Sequence, residues 1–383
     1  MSRRATHLNS RLLSWLEDLR MTDVPDYGGK NASLGELLGN LAEKGVQVPG
    51  GVATSAQAFR DFLVLNNLTE RVAARLAGLD VDDVQALTSA GAEIRRWIEA
   101  APLPKELEEG IAAAIAALEA EAGGQVSWAV RSSATAEDMH DASFAGQQET
   151  YLNIVGEAEL LNACRRCYAS LFTDRAISYR QTKGFDHMKV ALSIGVQQMV
   201  RSDLGGSGVM FSIDTETGFD KVVLINAAWG LGENVVQGAV DPDEYVVFKP
   251  LLADAALSPI VEKTKGDKAI KMIYATGDKP TRNVPTSKAE REAFVLSDAE
   301  ILKLARWAVT IETHYGCPMD MEWARDGETG EMFIVQARPE TVQSRREAGS
   351  LRTFEISSKG KTLTSGIAIG DAVVAGQVCL IED

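Results

Sequence analysis

Three groups of residues in this sequence carry types and spacings that could do chemistry on a phosphate. The first is GGKNASLGE, Gly28 to Glu36, in which two glycines free the backbone, Lys30 supplies a cation, and a helix begins directly afterwards. Backbone N–H groups and the dipole at a helix start favour an anion there. The spacing is not that of a Walker A loop, which ends in Lys followed by Ser or Thr. A glycine turn with a solvated lysine is the plainer alternative.

The second group is Arg131-Ser132-Ser133, at the end of a short β-type run, Val126 to Val130, and ahead of a segment holding Gly146 and Thr150. An arginine fork can grip phosphate oxygens in bidentate fashion. It could equally form a surface ion pair with Asp138 or Asp141. RSSATAEDMHDASFAGQQET reads as a long mobile loop, a length that in compact domains belongs to lids and binding loops.

The third group is a hairpin near residue 330. Alternation places Asp320 and Glu322 on one face of a strand and Met319, Met321 and Trp323 on the other, while Gln336 and Arg338 share a face of the returning strand. A register pairing even-numbered with even-numbered residues would gather two carboxylates, an amide oxygen and a guanidinium. Hard oxygen donors beside an arginine suit Mg²⁺ shared with a polyphosphate. A solvated face with an ordinary Glu–Arg pair is the alternative. Of the rest, Gln198, Met199 and Val200 end a strand whose backbone could meet an adenine edge, or simply be buried. GLGENVVQG (Gly230 to Gly238) reads as a turn between strands, and His7, His140, His187 and His314 show no metal-ligand spacing.

Elements to position these groups follow from periodicity. Leu34, Leu37, Leu38 and Leu41 predict a helix over 31–44, stopped by Gly45. Further helices are predicted near 55–66, 82–100, 105–122 and 157–183, and Ser297 with Glu300 forms a capping box for another, ended by Gly316. Strands are predicted near 190–196, 208–213, 221–228, 244–249, 259–264, 269–275, 319–324 and 331–338. The chain is thus α+β, and its 383 residues suffice for two or three packed units.

A net charge of −15 opposes binding to a nucleic-acid backbone, yet leaves room for one nucleotide held by a few local cations. Four cysteines at 164, 167, 317 and 379 are too sparse for a disulfide framework, and Cys164 and Cys167 read as packing residues in a helix. With no apolar leader and no long apolar span, a cytoplasmic protein off the membrane is expected.

Several long motifs in one order carry a resemblance. GGKNASLGE, VPGGVATSAQAF, AVRSSATAEDMHDASFAGQQETYLNI, GLGENVVQGAVDPDEYVVFKP, HYGCPMDMEW and IVQARPETV, spread over roughly Asp23 to Thr341, resemble the N-terminal PEP/pyruvate-binding ATP-grasp domain of the phosphoenolpyruvate synthase family. The resemblance implies an ATP-grasp-type domain of two lobes, 1–198 and 199–342. Residues 343–383 would then be a linker and the truncated start of a phosphohistidine domain. It implies that Lys30, Arg131 and Arg338 serve the phosphates of substrate ATP, and that the loop through Gly146 and Thr150 folds across them. Gln198, Met199 and Val200 would hold the adenine, and Glu322, Gln336 and nearby Asp320 the Mg²⁺. In that family the diphosphoryl portion of ATP passes to a histidine on a swivelling domain and AMP leaves; a pyruvate-binding barrel completes phosphoenolpyruvate. The resemblance implies that this sequence stops before those partner domains. The alternatives are the related domain of a rifampin-type antibiotic phosphotransferase and a stand-alone nucleotide-binding regulatory module.

Overall fold

The computed structural model of the chain describes residues 11–135, 149–254, 256–276 and 279–340, together with 360–362 and 376–377. Two antiparallel sheets organise it. The first has the order β1-β2-β5-β3-β4, from β1 (Leu13–Trp15), β2 (Gly51–Thr54), β3 (Trp128–Ala134), β4 (Thr150–Ile154) and β5 (Leu192–Gln198). The second has the order β13-β12-β6-β7-β8-β9. Its strands are β6 (Gly206–Phe211), β7 (Val222–Trp229), β8 (Asp243–Phe248), β9 (Ile260–Thr264), β12 (Met319–Arg325) and β13 (Met332–Pro339). A separate hairpin pairs β10 (Ile270–Tyr274) with β11 (Thr281–Pro285).

Helices cover one side of each sheet, because each sheet has an apolar face to bury. Against the first lie α2 (Ala56–Leu65), α3 (Leu68–Leu76), α4 (Val84–Ala100), α5 (Lys105–Ala122), α6 (Glu157–Ala169) and α7 (Asp174–Thr182), their core joining Phe62, Ile94, Ile111 and Tyr168 to Trp128 and Val130. The second sheet packs on α10 (Asp298–Tyr315), whose Leu304, Ala308 and Ile311 meet Met321, Trp323 and Ile225. Two short helices, α8 (Glu233–Val236) and α9 (Lys288–Glu292), sit in connections; α8 falls where the sequence predicts a plain turn. Helix α1 (Val24–Asn40) joins both sheets: Asn31 Nδ2 donates to Ser193 Oγ (2.8 Å) in the first, and Ser33 Oγ donates to the Ala337 carbonyl (2.7 Å) in the second.

Most predicted elements fall within two residues of the observed ones. Gly123 and Gly316 end their helices in the left-handed conformation and the Ser297/Glu300 capping box is formed, whereas the helix predicted over 31–44 runs Val24–Asn40 as α1, and Gly45 ends a separate 3-10 turn, Ala42–Lys44. The predicted helix over 157–183 is two, because the Thr173 hydroxyl caps a new start by accepting from the Ala176 N–H. The run predicted to stop at Val130 continues to Ala134, so Arg131 lies in mid-strand. The 136–148 part of the predicted loop, Gly146 included, lies outside the described residues, as does nearly all of 343–383. Among the described residues no helix is long and apolar enough to cross a membrane.

One partly buried group sets a pH dependence. His187 accepts at Nδ1 from Arg180 Nε (3.1 Å), and its imidazole is held down to about 4, by burial first and then by the arginine's charge. Its ordinary value is 6.5, so between those two values the unfolded chain binds a proton that the folded chain refuses. Stability is therefore expected to fall as pH drops from about 6.5 to about 4. His187→Gln should flatten that part of the profile of urea midpoints against pH.

Candidate functional site

The site is built at the start of α1. Gly28 breaks the helix with φ 72° and ψ 164°, and the helix resumes with Gly29 and Lys30 in its first turn. A Cβ on Gly28 would lie 2.3 Å from Ser133 Oγ and 2.5 Å from the Ser133 carbonyl oxygen, so only glycine lets α1 sit this close to β3. One strand over, Gly195 leaves room for the Asn31 side chain, and the Asn31 N–H donates to Ser133 Oγ (3.3 Å). Lys30 is thereby fixed over the sheet, its Nζ donating to the Ser132 carbonyl (3.3 Å). Gly28→Ala is expected to cost more than ~2 kcal/mol, combining backbone strain with a clash against backbone. The check is a denaturant midpoint compared with that of Gly45→Ala, where φ is also positive but no atom lies within 4 Å.

Arg131 projects from the middle of β3, opposite Thr150 of β4 and Gly195 of β5. Its neighbours in the strand are buried, while its own side chain is 15% exposed. It crosses to the other sheet. Nη1 donates to the Val335 carbonyl (2.8 Å), and Nη2 donates to Glu322 Oε2 (3.3 Å) and, by a shorter bond, to Gln336 Oε1. Asp138 and Asp141, the alternative partners, lie outside the described residues.

On the far side, β12 and β13 pair Glu322 with Gln336 and Asp320 with Arg338, the even-with-even register. Met319, Met321 and Trp323 are buried against α10, which turns both carboxylates towards Arg131's side. Asp320 Oδ2 accepts from Arg338 Nε (2.8 Å) and Nη2 (2.7 Å). Burial pushes the Asp320 carboxyl above its ordinary range, against the pull of Arg338. A β-bulge between Glu322 and Trp323 shifts the rest of the hairpin by one residue. Where α1 meets the first sheet, Lys30, Asn31, Arg131, Gly195 and Gln197 line a space of about 10 Å³, the size of one water.

The three residues at the end of β5 stand apart from this cluster. Gln198 pairs with Trp128, three residues along β3 from Arg131, or roughly 10 Å. The Gln198 and Met199 N–H groups donate to the Gly50 and Ser127 carbonyls, both at 2.9 Å. Tyr274 of the β10–β11 hairpin reaches the same corner, accepting from Ser127 Oγ (3.1 Å). Nothing in the local sequence marks Tyr274 or the Val335 carbonyl, while Ser133 and Asn31 lie within the RSS and GGKNASLGE motifs, which do not by themselves reveal the Asn31–Ser133 bond. Cys164 and Cys167 are buried in α6, and burial raises both thiols, Cys164 to about 12, as packing residues require. Among the described residues no group of three or more His, Cys, Asp or Glu could alone hold a metal.

These features define a mixed helix-and-sheet domain in which an arginine on one antiparallel sheet faces a paired carboxylate and amide oxygen on another. The chain belongs to the pyruvate phosphate dikinase AMP/ATP-binding domain family, which it matches over residues 24–357. It is 56% identical to a phosphoenolpyruvate synthase of Neisseria meningitidis over 374 residues, covering 96% of this chain and 47% of that protein. It is 53% identical to the phosphoenolpyruvate synthase of Escherichia coli K12 over 378 residues, 98% of this chain and 47% of the relative. A probable phosphoenolpyruvate synthase of Methanocaldococcus jannaschii is 41% identical over 376 residues, 97% of this chain and 30% of that protein. The chain thus spans about half the length of the nearer of these relatives.

Proposed function

We propose that this chain is the Mg·ATP-binding, ATP-grasp-type part of a phosphoenolpyruvate synthase, working in the cytoplasm with a phosphohistidine domain and a pyruvate-binding barrel. Its two lobes would be 1–198 and 199–342, each built on one sheet, with 343–383 leading into the phosphohistidine domain. The observation that carries the reading is the Arg131 guanidinium meeting Glu322 and Gln336 across the two sheets. One point in space there is already bonded by a carboxylate and an amide oxygen to a positive group. Those donors fit Mg²⁺, which takes one or two protein oxygens and completes its shell with water and phosphate.

In this reading Lys30, Arg131 and Arg338 grip the phosphates, with Thr150 beside Arg131 and Gly146 on the segment closing over them. Gln198 and Met199 have spent their N–H groups on protein carbonyls, so the adenine edge is left the backbone from the Met199 carbonyl to the Val200 N–H. Glu322 and Gln336, with Asp320 adjacent, hold the cation, which when bound neutralises charge on the leaving and transferred phosphates. The chain's own task is to position the phosphate chain and balance its charge while the diphosphoryl portion passes to the histidine and AMP departs. With Arg131 bonded across the two sheets, the nucleotide enters as the hairpin β12–β13 and β3 move apart.

Isothermal titration with Mg²⁺ and a non-hydrolysable ATP analogue tests this. Metal-dependent affinity that is lost in Lys30→Ala supports it; no affinity, or affinity indifferent to the metal and to Lys30, rejects it. The relatives are synthases, and no observation favours an antibiotic phosphotransferase.

A further inference from the structure

We propose that Arg131 and Arg338 mask the metal-binding oxygens, so that a divalent cation gains them only when a nucleotide's phosphates draw the two guanidinium groups away. The inference rests on the reading above, that Glu322 and Gln336 hold the metal. Both carboxylates of the hairpin face are engaged by arginines assigned to the phosphate side. Arg131 Nη2 takes Glu322 Oε2 and Gln336 Oε1 together, while Arg338 Nε and Nη2 both take Asp320 Oδ2.

A guanidinium and a metal ion compete for those oxygens, since they are like charges drawn to the same lone pairs at close range. Burial sharpens the competition, because Arg131 is 15% exposed and Glu322 25%, leaving little solvent to take over either charge. Free Mg²⁺ must displace an arginine from its carboxylate and leave that charge part-buried with no anion beside it. A triphosphate changes both sides of the exchange at once: it offers each arginine a doubly charged, bidentate partner, and it offers the metal further oxygens. Metal and nucleotide binding are then coupled, and by linkage each strengthens the other equally. The arrangement keeps abundant free cation from filling the site before the substrate arrives.

The test measures Mn²⁺ alone by electron paramagnetic resonance on the 383-residue chain, and the ATP analogue alone in EDTA by calorimetry. Arg131→Gln is expected to bind Mn²⁺ alone about tenfold or more tightly than the wild type and to bind the metal-free analogue more weakly. A residue that merely held the sheets together would not move the two affinities in opposite directions. Adding Glu322→Gln to Arg131→Gln should abolish the gain. Arg338→Gln, which unmasks Asp320, should move Mn²⁺ affinity the same way and serves if Arg131→Gln fails to unfold cooperatively. Unchanged or weaker Mn²⁺ binding in the folded arginine variants overturns the masking while leaving the metal site standing. If instead Glu322→Gln in the otherwise wild-type chain leaves Mn²⁺·analogue affinity unchanged, the metal assignment falls, and the masking with it.

Discussion

Glu322→Ala is expected to remove the metal dependence of nucleotide binding and, in the full-length protein, to slow diphosphoryl transfer by about 10³-fold or more, the several kcal/mol that a bound cation contributes. The effect is large because Glu322 is the charged member of its pair with Gln336, and because Arg131 loses the one carboxylate it reaches among its three partners. Glu322→Gln should separate the two losses. The amide can still accept from Arg131, so the two sheets stay bridged and thermal stability stays near wild type, while affinity for the metal complex falls almost as far as in alanine. Single-turnover labelling of the phosphohistidine from β-labelled ATP reads the rate, and titration reads the affinity. An alanine variant that labels at the wild-type rate would remove Glu322 from the chemistry.

Lys268→Met is expected to be the most destabilising single change outside the site, by roughly 3–5 kcal/mol, because it leaves a carboxylate buried without its counter-charge. Lys268 and Asp243 are both fully buried and bonded to each other. Asp243 Oδ1 also accepts from the Gly266 N–H (3.1 Å), and Oδ2 from the Val295 N–H (2.8 Å) and the Tyr245 hydroxyl (3.2 Å). One carboxylate thereby ties β8 to the segment entering β10 and to the approach to α10. Lys268 has φ 46°, a strain that methionine inherits unchanged, so the measured cost reports the lost charge together with the bond that Lys268 Nζ donates to the Gly266 carbonyl (2.9 Å). Asp243→Asn combined with Lys268→Met should recover part of the loss in urea unfolding, since it removes the unpaired charge, while its single amide oxygen keeps only one of the two backbone N–H bonds that Oδ1 and Oδ2 accept from Gly266 and Val295. A double variant no more stable than Lys268→Met would show that packing, not the unpaired charge, sets the cost.

The faces of the hairpin were legible because a two-residue period admits only two parities, but its register was not: beside the DGETG turn Trp323 pairs with Ile334 and Arg325 with Met332, odd with even, and only the bulge after Glu322 brings even opposite even. The bulge after Glu322 left no mark on that pattern. Helix ends were legible where a glycine or a capping box carries the stop or start, as at Gly123, Gly316 and Ser297. Short elements were not: β2, α3, β11 and α9 offer too few turns or alternations to rise above the surrounding sequence. Thr173 was a readable cap that continuous helical spacing on both sides obscured. Arg131's partners lay beyond local reading altogether, because nearby acids competed for it on paper while Glu322 and Gln336 stand 191 and 205 residues away. Pairings of that range follow from topology, not from neighbouring residues.

The reach of α1 has a consequence for biosynthesis. Ser33 bonds to the Ala337 carbonyl across 304 positions, and Arg131 to the Val335 carbonyl across 204. On the ribosome, the first sheet and its helices can assemble while β12 and β13 are still untranslated. Lys30 and Arg131 then wait without the β12–β13 hairpin that faces Arg131 until β13 emerges. Closing so large a loop is slow, and the half-finished chain presents the unpaired Leu37 and Leu41 side of α1 in the interval. Hydrogen-exchange labelling of stalled nascent chains should therefore show early protection in β3 and β5 and late protection in the second half of α1.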